Sequence, residues 1–249
     1  MLAFYQHGPS QKLYSERFLD VDLAGCCDVD IEKALDYSKK FGFKRAYADY
    51  SEMLEIERPD AVCLIVPVSF TARIAADILR MGYPLLMEKP PGINLSQTEN
   101  ILKAAGNTNN KVAFNRRYVP LVRELRQKIS DIGTINLQCS FFRVKRFDED
   151  FSTTAIHGID MVGYIVNSRY KKVVFHYQKT ASGVVNTFMD CVFENGSVAS
   201  LSFCPDAGMY MERYQVNAGD KTYILDMPSD FSMTPKGSLK IYHENNLIS

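Results

Sequence analysis

The residues best suited to chemistry are Glu88 and Lys89, a charged pair that follows the apolar run 83–87 and precedes two prolines. A second apolar run, 61–66, lies upstream, and a helical pattern separates the two runs. Such runs are typical of neighbouring parallel strands buried on both faces. Because open parallel sheets bind ligands beyond the carboxyl ends of their strands, Glu88 and Lys89 are predicted at a ligand site. The alternative is an exposed lysine in a surface loop.

The first half of the chain alternates between short apolar runs and helical patterns. Residues 2–5 form the first predicted strand, residues 12–18 the first helix, and residues 21–27 a second strand that ends at Asp28. Further strands are predicted near residues 44–47, 61–66, 83–87 and 111–114, with helices between them. Strands that alternate with helices of this length predict a doubly wound parallel sheet, an α/β fold of the Rossmann type.

Asp28 follows Gly8 by 20 residues (28 minus 8). In dinucleotide-binding folds an acid at this distance bonds the adenosine ribose hydroxyls. If Gly8 is the middle glycine of GxGxxG, the outer positions fall on Gln6 and Gln11, so the pattern is a weak match. A tight turn beside a pyrophosphate needs residues without a Cβ, which puts affinity for the dinucleotide in question. The alternative role of Asp28 is to cap the next helix.

The pattern changes near Gly133. Residues 135–141 alternate between apolar and polar side chains, which predicts a half-exposed antiparallel strand. A helix is predicted over 155–166, and strands over 173–177, 184–193, 198–203, 210–216 and 222–225. The second half is therefore predicted as an α+β domain with a mostly antiparallel open sheet. We expect a dinucleotide-binding domain over 1–118 and a substrate-binding and oligomerisation domain over 119–249. One apolar face on an open sheet predicts a homo-oligomer, a dimer or higher.

Composition excludes several classes of protein. Lys+Arg and Asp+Glu are both 29, so no net basic field attracts nucleic acid or anionic membranes. The six cysteines show neither paired CxxC spacing nor a histidine cluster, which argues against a metal site. The first residues lack the apolar run of a signal peptide, and no stretch reaches the length of a membrane span. These features predict a reduced, cytoplasmic protein.

Five segments in order along the chain resemble the Gfo/Idh/MocA oxidoreductases. They are Cys27-Asp28-Val29-Asp30, Arg58-Pro59-Asp60-Ala61-Val62, Glu88-Lys89-Pro90, Phe114-Asn115-Arg116-Arg117-Tyr118 and Ala155-Ile156-His157-Gly158-Ile159-Asp160. The resemblance covers nearly the whole chain. It implies a nicotinamide cofactor and oxidation or reduction of a carbinol carbon on a sugar, cyclitol or related polyol.

The resemblance also implies roles for individual residues. Lys89 would bond the reacting oxygen, with Glu88 near the nicotinamide, because hydride leaves a carbinol carbon only as its hydroxyl proton departs. His157 would be a second acid/base, and Asp160, one helical turn further on, could orient it. Many members carry an aspartate four residues before this histidine, where this chain has Thr153. The alternative for His157 is a core or capping histidine.

The remaining predicted contacts divide between cofactor and substrate. The cofactor set is Gly8, Pro9, Ser10, Asp28, Val66, Pro67, Ser69, Glu88, Lys89 and Asn115. Because the Asp28 carboxylate would repel a 2′-phosphate and no arginine follows it, the prediction is NAD in preference to NADP. The substrate set is Arg116, Tyr118, Arg143, His157 and Asp160, with Arg117 and Lys145 as further candidates. Arg143 and Lys145 are expected on one face of a strand, where they could bind a carboxylate or phosphate; solvated surface charges are the alternative.

A second class of function stays open, that of a non-catalytic relative that binds a sugar or nucleotide as a sensor or scaffold. Gln6, Gln11 and Thr153 favour it, whereas Glu88-Lys89-Pro90, Asp28 and His157 favour the enzyme. The chain ends at Ser249, where members usually continue, which indicates a compact variant or a truncated chain.

Overall fold

The computed structural model describes residues 3–18, 20–147, 151–230 and 234–248. The chain divides into two compact units, Met1–Ala113 and Phe114–Ser249. The predicted boundary at residue 118 lies five residues (118 minus 113) after this division. No helix among the described residues is long and apolar enough to cross a membrane.

The first unit alternates helices and parallel strands. Its elements are α1 (Gly8–Arg17), β1 (Gly25–Cys27), α2 (Ile31–Phe41), β2 (Arg45–Tyr47), α3 (Tyr50–Glu57), β3 (Val62–Leu64), α4 (Val68–Arg80), β4 (Leu85–Met87), α5 (Leu95–Ala105) and β5 (Asn110–Val112). The strands form two parallel sheets, β1-β2 and β3-β4-β5. Among the described residues, no strand pairs with the other edge of β3. The Rossmann-like fold predicted for this half is confirmed, with a break in its sheet.

The predicted strand over 2–5 is wrong for the described residues 3–5. Ala3–His7 form a π-helix that runs directly into α1. The Phe4 ring packs edge-on against Tyr37 and Phe41 of α2, each at 5.5 Å between ring centroids. A four-residue apolar run does not by itself distinguish strand from helix, and contact with α2 decides the outcome here. The first strand of a doubly wound sheet, which is central in the order 3-2-1-4-5-6, is therefore not formed by the described residues 3–7.

Local capping signals in the first unit are confirmed. Asn94 accepts a hydrogen bond from the Gln97 backbone N–H at 2.9 Å, and the Gln97 side chain accepts one from Ile93 N–H at 3.1 Å. This reciprocal pair fixes the start of α5. Asp30 caps α2 by accepting from Glu32 N–H, and Gly82 follows α4 with a φ of 87°. The Asp30 and Asn94 caps place the loops that follow β1 and β4, and Gly82 places the loop that precedes β4.

The second unit is built on one large sheet. It contains a 3-10 helix (Asn115–Tyr118), α6 (Pro120–Lys128), β6 (Asn136–Phe142), α7 (Ser152–Val166), β7 (Tyr170–Lys179), β8 (Val185–Phe193), β9 (Val198–Cys204), β10 (Met211–Ala218), β11 (Lys221–Asp226), β12 (Ser238–His243) and β13 (Asn246–Leu247). The strand order is β13-β12-β11-β10-β6-β9-β8-β7. Among the described strand pairs of this sheet, only β6–β9 is parallel. The mostly antiparallel sheet is therefore confirmed, and β12 and β13 extend it beyond the predicted strands.

Helices cover the apolar face of this sheet. α7 contacts β6 and β9, and α6 contacts β11 and β12. The opposite face carries many polar side chains, including the ion pair of Arg213 with Asp226 and the hydrogen bond from Ser200 to Asp190 at 2.7 Å. The chain's own helices therefore pack on the apolar face from which a homo-oligomer was predicted. The homo-oligomer stays a prediction.

Candidate active site

Several predicted cofactor residues follow the carboxyl ends of strands in the first unit. Asp28 comes directly after β1, Val66 and Pro67 lie between β3 and α4, and Glu88 and Lys89 follow β4. Ser69 lies in the first turn of α4. Asp28 is exposed, and its carboxylate accepts from the Asp30 backbone N–H at 3.0 Å. Parallel strands end at a common edge, which is where open α/β sheets bind ligands.

Glu88 is held in place by two hydrogen bonds. His7 Nε2 lies 2.6 Å from Glu88 Oε1, and the Lys89 backbone N–H donates to Glu88 Oε2 at 3.1 Å. Lys89 is half-buried, and its peptide bond to Pro90 is cis. Both oxygens of the Glu88 carboxylate are therefore engaged next to the lysine. No sequence motif pointed to His7.

Cys63 lies on the other side of the His7 ring, with its Sγ 4.0 Å from Nδ1. Burial, together with the negative charge of Glu88, raises the pKa of this thiol to about 11. The thiol is therefore protonated at neutral pH. Because the thiolate is the reactive form, this arrangement does not make Cys63 a nucleophile.

Gly8 has a packing role that differs from the predicted one. It is buried at the first residue of α1, where an added Cβ would lie 2.5 Å from the Phe41 ring. Close packing of this kind is the function of the third glycine in GxGxxG, whereas the prediction assigned Gly8 to the middle position. Pro9 and Ser10 are exposed in the same turn, and Ser10 Oγ donates to Gln6 O at 2.7 Å.

These residues fit NAD at its two ends better than at its pyrophosphate. Asp28 suits the adenosine ribose, and Glu88 with Lys89 suits the nicotinamide end. His7 has helical φ and ψ of −72° and −49°, so the helix is continuous from Ala3 through α1. The backbone N–H groups at Gly8 and Ser10 then lie inside a helix. The unpaired amides that bind phosphate are found at a helix start.

In the second unit, two predicted substrate residues share one buried carboxylate. Arg116 donates to Glu212 through Nε at 2.6 Å and Nη2 at 3.1 Å, and Arg143 Nη2 donates to the same carboxylate at 3.1 Å. Tyr214 also donates to it, at 3.1 Å. Burial lowers the pKa of Arg143, although a guanidinium stays charged at any physiological pH. Burial opposes the charge of Arg116 as well, but Glu212 outweighs it and raises that pKa.

The expected surface of Arg143 and Lys145 on one strand face is not formed. β6 ends at Phe142, and Arg143 turns inward to Glu212 and to the carbonyl oxygens of Phe142 and Met211. Lys145 is exposed in a bend with a φ of 51°. The sequence pattern missed that the strand ends one residue before Arg143. Alternation along a strand therefore does not apply to these two residues.

Arg117 and Asp160 form a second pair. Arg117 Nε donates to Asp160 Oδ2 at 2.8 Å and Nη2 donates to Oδ1, while the guanidinium lies over Phe114 and Tyr164. Both oxygens of Asp160 thus contact Arg117, a partner other than the predicted His157. The pair lines a cavity of about 540 Å³ on the outer side of α7.

The other predicted residues have contrasting environments. His157 is buried within α7 and is not among the residues that line either described cavity. Tyr118 is 66% exposed and packs under the Arg123 guanidinium. Asn115, predicted for the cofactor, is exposed at the start of the 3-10 helix of the second unit. No cluster of metal-binding side chains is found in the described part of the chain.

Comparison with known proteins shows a match to one family. Residues 3–116 match the Gfo/Idh/MocA family, described as an oxidoreductase family with an NAD-binding Rossmann fold. The predicted resemblance is confirmed. The chain is 28% identical over 119 residues to the scyllo-inositol 2-dehydrogenase (NADP(+)) IolU of Bacillus subtilis. The aligned segment covers 47% of this chain and 36% of that protein.

Two further comparisons extend beyond the first unit. An inositol 2-dehydrogenase of Corynebacterium glutamicum is 23% identical over 171 residues, or 64% of this chain and 51% of that protein. The chain therefore matches about half or less of the length of these curated relatives. An oxidoreductase domain protein from Kribbella flavida shares the fold, with a TM-score of 0.79 and 20% identity over 99% of this chain and 76% of that structure.

Proposed function

We propose that this chain is an NAD-dependent oxidoreductase acting on a carbinol carbon of a sugar, cyclitol or related polyol, with Lys89 at the reacting oxygen. The observation that carries the proposal is the half-buried Lys89 at the carboxyl end of β4, beside a Glu88 carboxylate held by His7. The family of residues 3–116 supports a nicotinamide cofactor, and the two inositol dehydrogenases support a cyclitol-like substrate.

NAD, when bound, supplies or accepts the hydride. Lys89 Nζ would exchange the hydroxyl proton of the substrate and stabilise negative charge on its oxygen. Glu88 would fix the backbone at Lys89 through its hydrogen bond to the lysine N–H, while His7 holds the same carboxylate from the other side. His157 is assigned the role of a second acid/base at the substrate, because it lies in one of the segments that resemble the Gfo/Idh/MocA oxidoreductases.

Calorimetric titration with NADH, and with NADPH for comparison, tests the cofactor assignment. We expect micromolar binding of NADH and at least tenfold weaker binding of NADPH, because the Asp28 carboxylate repels a 2′-phosphate. Asp28→Ala should reduce this preference. Asp36→Ala is the matched control, because Asp36 is exposed on α2. Equal binding of the two cofactors would remove Asp28 from the site.

Turnover of a panel of inositols and hexoses tests Lys89. Lys89→Ala should abolish turnover and leave NADH binding largely intact, whereas Lys111→Ala, at an exposed lysine on β5, should change neither. Unchanged turnover in Lys89→Ala would exclude this lysine from the mechanism. His157→Ala, assayed in the same way, should lower kcat by at least tenfold.

One observation favours a second candidate, a non-catalytic relative that binds a sugar or nucleotide. The continuous helix from Ala3 through α1 does not present the amide-lined turn that a pyrophosphate needs. This candidate predicts sugar binding without measurable affinity for NADH or NADPH. The cofactor titration therefore separates the two functions.

A further inference from the structure

The side chains of Arg116, Arg143 and Glu212 form a cluster in the second unit with two positive charges and one negative charge. Glu212 and Arg143 are 5% and 6% exposed, so water reaches little of either group. Glu212 accepts hydrogen bonds from both arginines and from Tyr214. Its single charge balances one guanidinium, and no second carboxylate of the described residues is found in contact with either arginine. Among these residues the cluster therefore keeps a net positive charge close to the core.

Aromatic rings stabilise part of this excess charge. The Arg143 guanidinium lies 3.9 Å from the Phe141 ring centroid and 4.2 Å from that of Tyr210, and Arg116 lies 5.9 Å from Phe141. Cation–π contacts offset only a fraction of the cost of removing a charge from water. A buried charge normally needs a partner of opposite sign. The cluster is thus short of one negative charge.

A cavity of about 240 Å³ opens directly onto the cluster. Arg116 and Glu212 line it together with polar and apolar side chains, namely Asn115, Val119, Tyr210, Met227, Pro228 and Ser229. The Asn115 amide among these is able to donate to an oxyanion. The volume lies below the roughly 300 Å³ at which drug-sized pockets begin. A monosaccharide or its charged end suits a space of this size.

The Phe141 ring, which lies beside both arginines, also approaches the helix that carries His157. An added Cβ at Gly158, the residue after His157, would lie 3.2 Å from the Phe141 ring, which shows how closely α7 approaches that ring. Both arginines lie near the same ring. A ligand held by Arg116 would therefore lie in the region of the second unit that also contains the first turns of α7.

We propose that this cavity binds the carboxylate of a sugar acid, with Arg116 as the group that contacts it. The inference deepens the proposed function by assigning its substrate to the acidic monosaccharides, such as hexuronates. One missing negative charge matches a carboxylate, whereas a phosphate monoester would bring close to two. Arginine's planar fork is suited to a carboxylate in geometry as well as charge.

Strand β10, which carries Glu212, also provides a matched control. Arg213 on β10 binds Asp226 with the same two-bond geometry as Arg116 and Glu212, at 2.6 Å through Nε and 3.1 Å through Nη2. The Arg213 guanidinium has one carboxylate partner, and no second arginine among the described residues contacts Asp226. The pair is neutral. Arg213→Gln should therefore leave sugar-acid binding unchanged.

Calorimetric titration without NAD tests the proposal, with glucuronate and galacturonate as probes and with glucose, galactose, glucose 6-phosphate and acetate for comparison. We expect each hexuronate to bind at least tenfold more tightly than its neutral hexose and more tightly than the phosphate. Arg116→Gln should remove this preference, and Arg116→Lys, which keeps the charge, should retain part of it. Glu212→Gln, which adds net positive charge, should strengthen hexuronate binding if the variant folds.

Each outcome has a distinct meaning. Hexuronates that bind no better than hexoses, or a preference that survives Arg116→Gln, would overturn the proposal. Tighter binding of glucose 6-phosphate would also overturn it in favour of phosphorylated sugars. Because NAD is absent, failure of the cofactor titration leaves this result unaffected. Turnover of neutral polyols without hexuronate binding would keep the proposed function and reject the carboxylate site.

Discussion

The two units position their charged residues in opposite ways. In the first unit, Glu88 directly follows β4, and His7, within the N-terminal helix, contacts it at the end of that short strand. In the second unit, Arg143 and Glu212 are enclosed beside Phe141, in the core of an eight-stranded sheet. Charges at a strand end are available to a ligand without disturbing the core. Enclosed charges are part of the packing. Substitutions of Arg143 or Glu212 should therefore change the stability of the fold and the binding of a ligand together.

The largest expected effect is a loss of stability in the core of the second unit. Phe141 is fully buried and also lies under the Arg143 guanidinium, so Phe141→Ala should cost about 3–5 kcal/mol. Leu54→Ala, at a fully buried residue of the first unit, should cost less, about 2–3 kcal/mol. Urea denaturation followed by circular dichroism measures both, since the chain lacks tryptophan. A smaller loss for Phe141→Ala than for Leu54→Ala would contradict the comparison.

One glycine in each unit provides a second comparison of how tightly the two units are packed. A Cβ at Gly158 would lie 2.8 Å from Phe203, and one at Gly8 would lie 2.5 Å from Phe41. Gly158→Ala should cost about 2 kcal/mol because the large core resists the shift, and Gly8→Ala about 1 kcal/mol. Gly133→Ala, with no atom within 4 Å of the added Cβ, is the control. If Gly8→Ala proved the more costly in thermal melts, the packing of the first unit would be the tighter of the two.

Helix capping should distinguish the units by a smaller amount. Asp49 accepts from the N–H groups of Ser51 and Glu52 at the start of α3, whereas the N-cap residue of α7, Phe151, makes no side-chain cap. Asp49→Ala should therefore cost about 1 kcal/mol. Asp36→Ala, within α2, should be nearly neutral. Equal denaturation midpoints for the two variants would show that the cap contributes nothing.

The smallest effect concerns the outer face of the large sheet. The Arg213 side chain is 42% exposed in its pair with Asp226, so solvent screens the interaction. Arg213→Gln should change stability by less than about 1 kcal/mol, and the loss should shrink in high salt. Melting curves at low and high salt provide the measurement. A loss that persists at high salt would mean that this pair behaves like the enclosed cluster.

Sequence patterns predicted the elements whose signals are local. Alternation along 135–141 identified β6, and capping residues such as Asn94 located helix starts to within a residue. The strand ends near Asp28 and Lys89 followed from the same patterns. Such signals depend on neighbours in the chain, which a single sequence contains.

Long-range contacts escaped prediction. Glu212 lies 96 residues from Arg116, and no local pattern relates a glutamate in β10 to that arginine. His7 reaches Glu88 across 81 residues in the same way. The helical conformation of Ala3–His7 likewise depends on contact with Tyr37 and Phe41. A rule that groups titratable residues at successive strand ends would have included His7, but not Glu212.

The unpaired edge of β3 has a consequence for amide hydrogen exchange. Val62 N–H donates to Pro84 O at 2.8 Å, and Leu64 O accepts from Glu88 N–H at 3.2 Å, so both residues direct their backbone groups towards β4. Cys63 lies between them and directs its backbone groups to the opposite edge. Its deuterium uptake should be faster than that of either neighbour, and a peptide that adds a strand there would slow it selectively.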